Sequence, residues 1–357
     1  MTYRVIQWAT GGVGRAAIEG VLAHPDLELV GCWVHSAAKD GHDVGALVGR
    51  DPIGVVATSD VDAVLAIDAD CVIYSPFMAD PKVVTRILES GKNVVTPLGW
   101  FYPPAEERER FDAICRSAGV TLHGTGIHPG GITERFPLMV SALSGSITHV
   151  RAEEFSDIRT YSAPDVIRDW MLFGKTPEDA RTSIMADALG AGFRQSVWMV
   201  AEELGFELDP SLRTTHEMAV ATAPIDSPIG PIQPGTVAAQ RFRWEGLIDG
   251  VPVVTAAVNW LMGEEHLDPP WEIGPAGERF EVEVTGDPCC LTTFKKLHPE
   301  TIAAGLERNP GIVATAMHCL NAVPYVCEAE AGLLTYLEMP LVAGRAAPHL
   351  GRSRGER

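Results

Sequence analysis

The run Val5-Ile6-Gln7-Trp8-Ala9-Thr10-Gly11-Gly12-Val13-Gly14-Arg15-Ala16-Ala17 constrains this chain more than any other stretch of it. A strand-like apolar segment ends in Thr-Gly-Gly-Val-Gly, and a helical segment starts at once. Counted from Gly12 the spacing is G-x-G-x-x-A; counted from Gly11 it is G-x-x-G-x-x-A. Glycine lets the main chain turn tightly and come close to a pyrophosphate, and a small residue at Ala17 lets the helix pack near the strand. Amide N–H groups at the helix start then face the anion. The alternative is a plain strand–helix turn that needs glycine for packing. The position of the motif, opening a βαβ unit, favours dinucleotide binding.

The next stretch supports a parallel sheet with crossover helices. Strand-like runs fall at 4–8, 27–34, 54–57, 71–75, 93–96 and 120–123, with helical runs at 13–23, 61–66, 81–90 and 105–118 between them. Asp60 has the chemistry of a helix N-cap, and Gly91 and Gly119 stand where helix ends favour positive φ. After about residue 144 the pattern changes to long alternating strands. Phe242, Trp244 and Ile248 share one face, with Arg241, Arg243 and Glu245 on the other. Asp249-Gly250 between two such runs predicts a hairpin. Phe280, Val282 and Val284 alternate with Glu281, Glu283 and Thr285 in another half-buried strand. Thr176-Pro177-Glu178-Asp179 reads as a helix start. A largely apolar helix over 310–325 is expected to be buried, packing back on the first domain.

The expected architecture is therefore α/β: a doubly wound, Rossmann-type parallel sheet over 1–144, then an α+β domain over 145–342 with an open, largely antiparallel sheet, and a loose tail over 343–357. Helices can cover only one face of such a sheet, which predicts a homodimer or homotetramer that buries the other.

Charge narrows the partners. Lys and Arg total 28 against 47 Asp and Glu, a net charge of −19, which repels nucleic acid and anionic membranes. Seven cysteines without a C-x-x-C pair read as free thiols in a reducing compartment, with no metal site. No apolar run approaches the roughly 20 residues of a membrane span, and the N-terminus lacks signal-peptide layout. A cytoplasmic location is expected. No serine elbow, P-loop lysine or H-E-x-x-H occurs to support hydrolase, kinase or zinc-peptidase chemistry.

Several segments resemble known enzymes. The strand–Thr-Gly-Gly-Val-Gly-Arg-Ala opening resembles the N-terminal domain of dihydrodipicolinate reductases. Gly124-Thr125-Gly126-Ile127-His128-Pro129-Gly130 and Ala316-Met317-His318-Cys319-Leu320-Asn321-Ala322-Val323-Pro324 resemble segments of the 2,4-diaminopentanoate dehydrogenase and native amine dehydrogenase relatives. The resemblance implies an NAD(P)H-dependent oxidoreductase acting on C=N bonds. Two departures stand out. The His-His and Lys cluster of dihydrodipicolinate reductases is absent. Leu98 and Gly99 stand where the amine dehydrogenase relatives carry an acid, so the ammonia-binding carboxylate is missing from its usual loop.

Ligands of open α/β sheets bind beyond the carboxyl ends of the strands. Loops 10–15, 75–78, 96–102 and 124–131 are placed there, so cofactor contacts are expected from Thr10, Gly11, Gly12, Val13, Gly14, Arg15, Ser75, Pro76, Thr96, Gly124 and Gly126. No acid follows the second strand before Asp40. His35, Ser36 and Lys39, with Arg15, favour the 2′-phosphate of NADP(H) over NAD(H). His128 is the candidate proton donor to a carbonyl or imine, against a structural histidine satisfied by the backbone. Tyr102 is a second candidate donor, or part of an aromatic wall with Trp100 and Phe101. Asp157, Tyr161 and His318 are candidate substrate contacts. A small, fairly apolar substrate is expected. The rival readings are a carbonyl reductase and a dinucleotide-binding sensor without catalysis.

Overall fold

The computed structural model describes residues 2–347 and 349–350, the side chains of 185 and 186 excepted. The described chain packs into two compact units, one within 2–127 and 312–350, the other 128–311.

The first unit is built on a seven-stranded parallel sheet. Its strands are β1 (Tyr3–Trp8), β2 (Leu27–Trp33), β3 (Ala57–Thr58), β4 (Cys71–Tyr74), β5 (Asn93–Thr96) and β6 (Thr121–Gly124), with Gly332–Leu334 added beside β6. The spatial order β3-β2-β1-β4-β5-β6 is that of a dinucleotide-binding fold. The strands expected at 4–8, 27–34, 71–75, 93–96 and 120–123 are present. The one expected at 54–57 shrinks to two residues, Ala57–Thr58. The strand Gly332–Leu334 has too few residues for a periodic signal. Asp60 caps its helix as expected, its Oδ1 accepting from the amides of Asp62 and Ala63 at 2.8 and 3.1 Å. Gly119 ends the helix Ala105–Ala118 at φ 70°.

The helix Pro310–Glu328 is largely apolar, and none of its residues before Glu328 is exposed. Ala316, Cys319, Leu320, Val323 and Val326 join Ala17, Ile18 and Val21 in one core. Gly20 makes the approach close: a Cβ there would lie 2.2 Å from the Met317 methyl. Of the expected loose tail, 348 and 351–357 lie outside the described residues. Its first residues are anchored rather than loose. Arg345 pairs with buried Asp26 at 2.9 Å, and the Tyr325 hydroxyl accepts from the Ala343 amide at 3.2 Å.

The second unit begins at His128, not near 144. Residues 131–141 form a π-helical turn (Gly131–Arg135) and a short helix (Phe136–Ser141). They pack against the long helix Ile184–Leu204 and the second sheet, which is why they belong to this unit. That sheet contains β7 (Gly145–Asp157), β8 (Arg213–Ala221), β9 (Val237–Ile248), β10 (Val251–Leu261), β11 (Leu267–Asp268), β12 (Arg279–Asp287) and β13 (Cys290–Phe294), in the order β11-β8-β9-β10-β7-β12-β13. Only the β10–β7 pair is parallel. Asp249 and Gly250, at φ 51° and 78°, turn β9 into β10 as a two-residue hairpin demands.

The two faces of this sheet differ in chemistry. On one, Phe242, Trp244, Val258, Trp260 and Val284 pack with Phe193, Val197 and Val200 of the long helix. Phe193 stacks on Trp244 with ring centroids 4.3 Å apart. Truncating a ring buried like this costs about 3–5 kcal/mol. The other face is a lattice of ions. Arg151 binds Glu153, Glu281 and Glu283, Arg213 binds Glu245, and Arg241 binds Glu217 and Asn259.

Candidate active site

Within the first unit, the glycine turn leaves β1 through Ala9, at φ 74°. The helix Gly12–Ala23 starts three residues later with no side chain capping it, so its first amides are free to face a ligand. Two glycines differ in purpose. A Cβ on Gly14 would stand 2.2 Å from the Ala9 carbonyl oxygen, so the turn itself excludes any side chain. A Cβ on Gly11 would meet nothing within 4 Å, at an ordinary φ of −73°. Among the described residues nothing comes within 4 Å of that point, and that is where a diphosphate needs room. The donor set and the space both fit a dinucleotide.

Gln7 supports the turn from beneath. Its Nε2 donates to the Ala9 carbonyl at 2.9 Å and to Ser75 Oγ at 2.9 Å, which also fixes the expected Ser75 at the end of β4. Lys39 reaches back from the loop after β2, its Nζ 2.9 Å from Thr10 Oγ1 and 3.3 Å from the Thr10 carbonyl. His35, Ser36 and Arg15 are exposed, and Val13 and Pro76 are half-buried. Asp40, the first acid after β2, is already engaged: its Oδ1 accepts from the Ser59 amide at 2.7 Å.

The loops after β5 and β6 lie back to back. A Cβ on Gly124 would come within 2.2 Å of the Gly99 carbonyl oxygen. Thr96 is buried, its Oγ1 accepting from the Leu98 amide at 3.2 Å, and Gly126 is buried as well. Trp100 and Phe101 do not form an open wall. They are buried at 4% and 1% exposure, and Trp100 sets its edge against Phe111. Tyr102 is half-buried, with the Arg108 guanidinium 5.9 Å from its ring centre. His318 joins a cluster with Thr125 and Tyr336. Thr125 Oγ1 is 2.8 Å from His318 Nδ1 and 2.5 Å from the Tyr336 hydroxyl. Tyr336 carried no signal in the sequence, lying in an aperiodic segment.

Within the second unit, the side chain of His128 is 2% exposed. Its Nδ1 is 2.8 Å from Glu154 Oε2. Its Nε2 is buried without a hydrogen-bond partner. Ser156 donates to Glu154 Oε1 at 2.6 Å and lies 2.8 Å from His298 Nε2. Burial drives the Glu154 carboxyl upward, but the His128 hydrogen bond, the charges of His128 and His298 and the Ser156 hydroxyl together hold it below the usual range. Burial lowers His298. Burial, with the charge of Glu154, pushes the Tyr161 phenol up to about 12, so Tyr161 stays protonated. Asp157 is not free for substrate: its carboxylate is clasped by Arg159 at 2.5 Å and caps the turn Ile158–Thr160.

Glu154, Ser156 and His298 were not singled out in the sequence. A signal existed for the first. Glu153 and Glu154 are adjacent in a strand, so they point to opposite faces, and one of them must enter the core.

Fold and turn together define a dinucleotide-binding α/β protein with an α+β second unit. Comparison with known proteins narrows this. The family described as 2,4-diaminopentanoate dehydrogenase C-terminal domain matches residues 134–349, and the one described as dihydrodipicolinate reductase, N-terminus, matches 5–98. An amine dehydrogenase from Streptomyces virginiae is 32% identical over 97% of this chain and 97% of its own. The 2,4-diaminopentanoate dehydrogenase of Acetoanaerobium sticklandii is 23% identical over 95% of this chain and 93% of its own. The solved amine dehydrogenase of Mycobacterium smegmatis shares the fold, with a TM-score of 0.76 at 20% identity, covering 97% of this chain and 98% of that one. The chain belongs to the 2,4-diaminopentanoate dehydrogenase family.

Proposed function

We propose that this protein is an NAD(P)-dependent oxidoreductase that interconverts an amine and the corresponding C=N compound, in the manner of an amine dehydrogenase or imine reductase. The observation that carries the reading is His128: one ring nitrogen is tied to a carboxylate and the other is buried and unpartnered, in a chain that also bears a dinucleotide turn. The relatives named amine dehydrogenase and 2,4-diaminopentanoate dehydrogenase support the choice of nitrogen chemistry. When bound, the dinucleotide supplies the hydride exchange. The amides at Gly11–Gly14 hold its diphosphate. His128 gives or takes a proton at the substrate nitrogen. The rings of Phe193 and Phe280 beside His128 favour a small, fairly apolar substrate.

NADP(H) is favoured over NAD(H). Lys39 stands at the phosphate turn, Asp40 is committed to Ser59, and exposed Ser36 and Arg15 complete a set suited to a 2′-phosphate. Tighter binding of NADPH than NADH is expected by fluorescence titration, and the reverse order removes this preference.

A carbonyl reductase is the second reading, favoured by Leu98 and Gly99 in place of an acid. A panel of apolar ketones, aldehydes and cyclic imines, with and without ammonia, separates the two by loss of NADPH absorbance. Ketone turnover that requires ammonia supports the amine reading. Ketone turnover indifferent to ammonia, with cyclic imines inert, replaces it with the carbonyl reading. Tight cofactor binding with no turnover at all leaves a sensor.

A further inference from the structure

We propose that Glu154 is a positioning carboxylate that presents the Nε2 of His128 to the substrate nitrogen, and that Ser156 and His298 hold Glu154 in that role. This rests on the amine reading above and assigns the carboxylate that the loop after β5 lacks.

The argument starts from the strand. Along β7, Val150 and Ala152 point to the helix-covered face, and Glu154 and Ser156 follow them in the same register, while Arg151 and Glu153 point to the ionic face. A carboxylate on an apolar face is costly unless it is paired and hydrogen-bonded. Here both oxygens are occupied, one by His128 at 2.8 Å and one by Ser156 at 2.6 Å.

The hydrogen-bond roles then fix the protons. An ionised carboxylate only accepts, so the Nδ1 of His128 carries a proton, and in the neutral ring Nε2 is a bare acceptor. The Ser156 hydroxyl spends its proton on Glu154, so His298 donates to Ser156 through Nε2 and keeps Nδ1 bare. Both bare nitrogens, His128 Nε2 and His298 Nδ1, are buried without partners. A purely structural pair would leave the lone pair of His128 unsatisfied at a cost of about 1–3 kcal/mol. A base with its other nitrogen held by a third group is instead the arrangement of an acid–base catalyst.

The surroundings fit an amine on an apolar carbon. The ring of His128 sits between the edges of Phe193 and Phe280, at 4.9 and 5.4 Å, and His298 lies 4.7 Å from Phe280. The titratable groups that act on Glu154 are His128, His298, Tyr161 and Glu278. In the proton step, a substrate ammonium R–NH3+ gives one proton to His128 Nε2. The products are R–NH2 with a free lone pair and an imidazolium, and no electrons are exchanged. Glu154 stays ionised beside the imidazolium and stabilises it.

Two measurements test this on the full-length protein, the first with the reduced cofactor and the second with the oxidised one. Long-range 15N–1H spectra of the histidine rings are expected to show His128 protonated on Nδ1, and Glu154→Met is expected to lose that fixed form. A wild-type His128 protonated on Nε2 overturns the proposal without any reference to activity. Steady-state oxidation of the best primary amine from a panel gives the second readout. Glu154→Gln is expected to lower kcat by about 100-fold or more, with amine KM and NADP+ affinity changed less than threefold, and Glu154→Asp to recover part of the loss. Glu154→Gln within threefold of wild type in kcat overturns the proposal while the amine reading stands. Wild type that oxidises no amine overturns both.

Discussion

Glu134 shows how one residue's environment sets a measurable property. It is fully buried, with Ser196 donating to Oε1 at 2.5 Å and Oε2 without a partner. Burial pushes its carboxyl from 4.5 up to about 8, against the small opposing effect of Ser196. The folded protein therefore keeps the proton up to about pH 8, while the unfolded chain releases it near 4.5. A raised carboxyl costs stability as pH rises through that window, because the unfolded state ionises first. Glu134→Gln keeps the shape and has no proton to lose. Thermal melts are expected to give nearly equal midpoints for both proteins at pH 4.5 and a widening advantage for Glu134→Gln up to pH 8. An offset independent of pH contradicts the assignment. Burial also lowers His298 and His216 from their ordinary value, which adds a pH dependence common to both proteins, so the difference between the two proteins is the quantity to read.

At the scale of an element, the strand–turn–helix that opens the chain separates binding from folding. Gly14 has no space for a side chain, because the Ala9 carbonyl stands 2.2 Å from its absent Cβ, whereas the space over Gly11 is open to the ligand alone. Gly11→Ala is expected to leave the melting temperature unchanged and to weaken NADPH binding at least tenfold. Gly14→Ala is expected to lower both. Fluorescence titration and calorimetric melting on the two variants check this pair. Gly11→Ala with wild-type affinity means that the diphosphate lies elsewhere.

For the whole molecule, the ionic face of the second sheet is the feature that needs an explanation. Glu153 and Glu245 are 5% and 7% exposed on this face, among Arg151, Arg213 and Arg243. Burying paired charges carries a desolvation cost that can match the Coulomb gain, so such a lattice is weak support for the stability of a single chain. We infer that two copies of the chain meet across this face, as a homodimer or as half of a homotetramer, with alternating charges setting the register. Sedimentation equilibrium at micromolar concentration is expected to give a dimer or tetramer, and a monomer rules this out. Among the described residues no helix is long and apolar enough to cross a membrane.

The readable parts of the chain were those where the signal is local. The glycine turn, the Asp60 cap, the Asp249-Gly250 hairpin and the alternation in β9 and β12 each depend on a few consecutive residues, and the structure keeps them all. The start of the second unit near 128 was not readable, since it depends on residues 131–141 packing against a helix some 50 positions later. Trp100 and Phe101 were equally opaque: an aromatic run lines a pocket or fills a core according to what stands across from it, and here it fills the core.

His128 was legible because its glycine-rich loop marks a close approach of backbone. Its partners were not, because Glu154 and His298 come from sequence positions 26 and 170 residues away and meet it only when β7 and the loop before the helix Ile302–Glu307 are in place. Periodicity and the glycine turn alone determined the class of fold and pointed to a dinucleotide, since both follow from backbone geometry over short spans. Tertiary structure alone decided which carboxylate faces the histidine, because strand pairing chooses the side of the sheet on which each of two adjacent glutamates points.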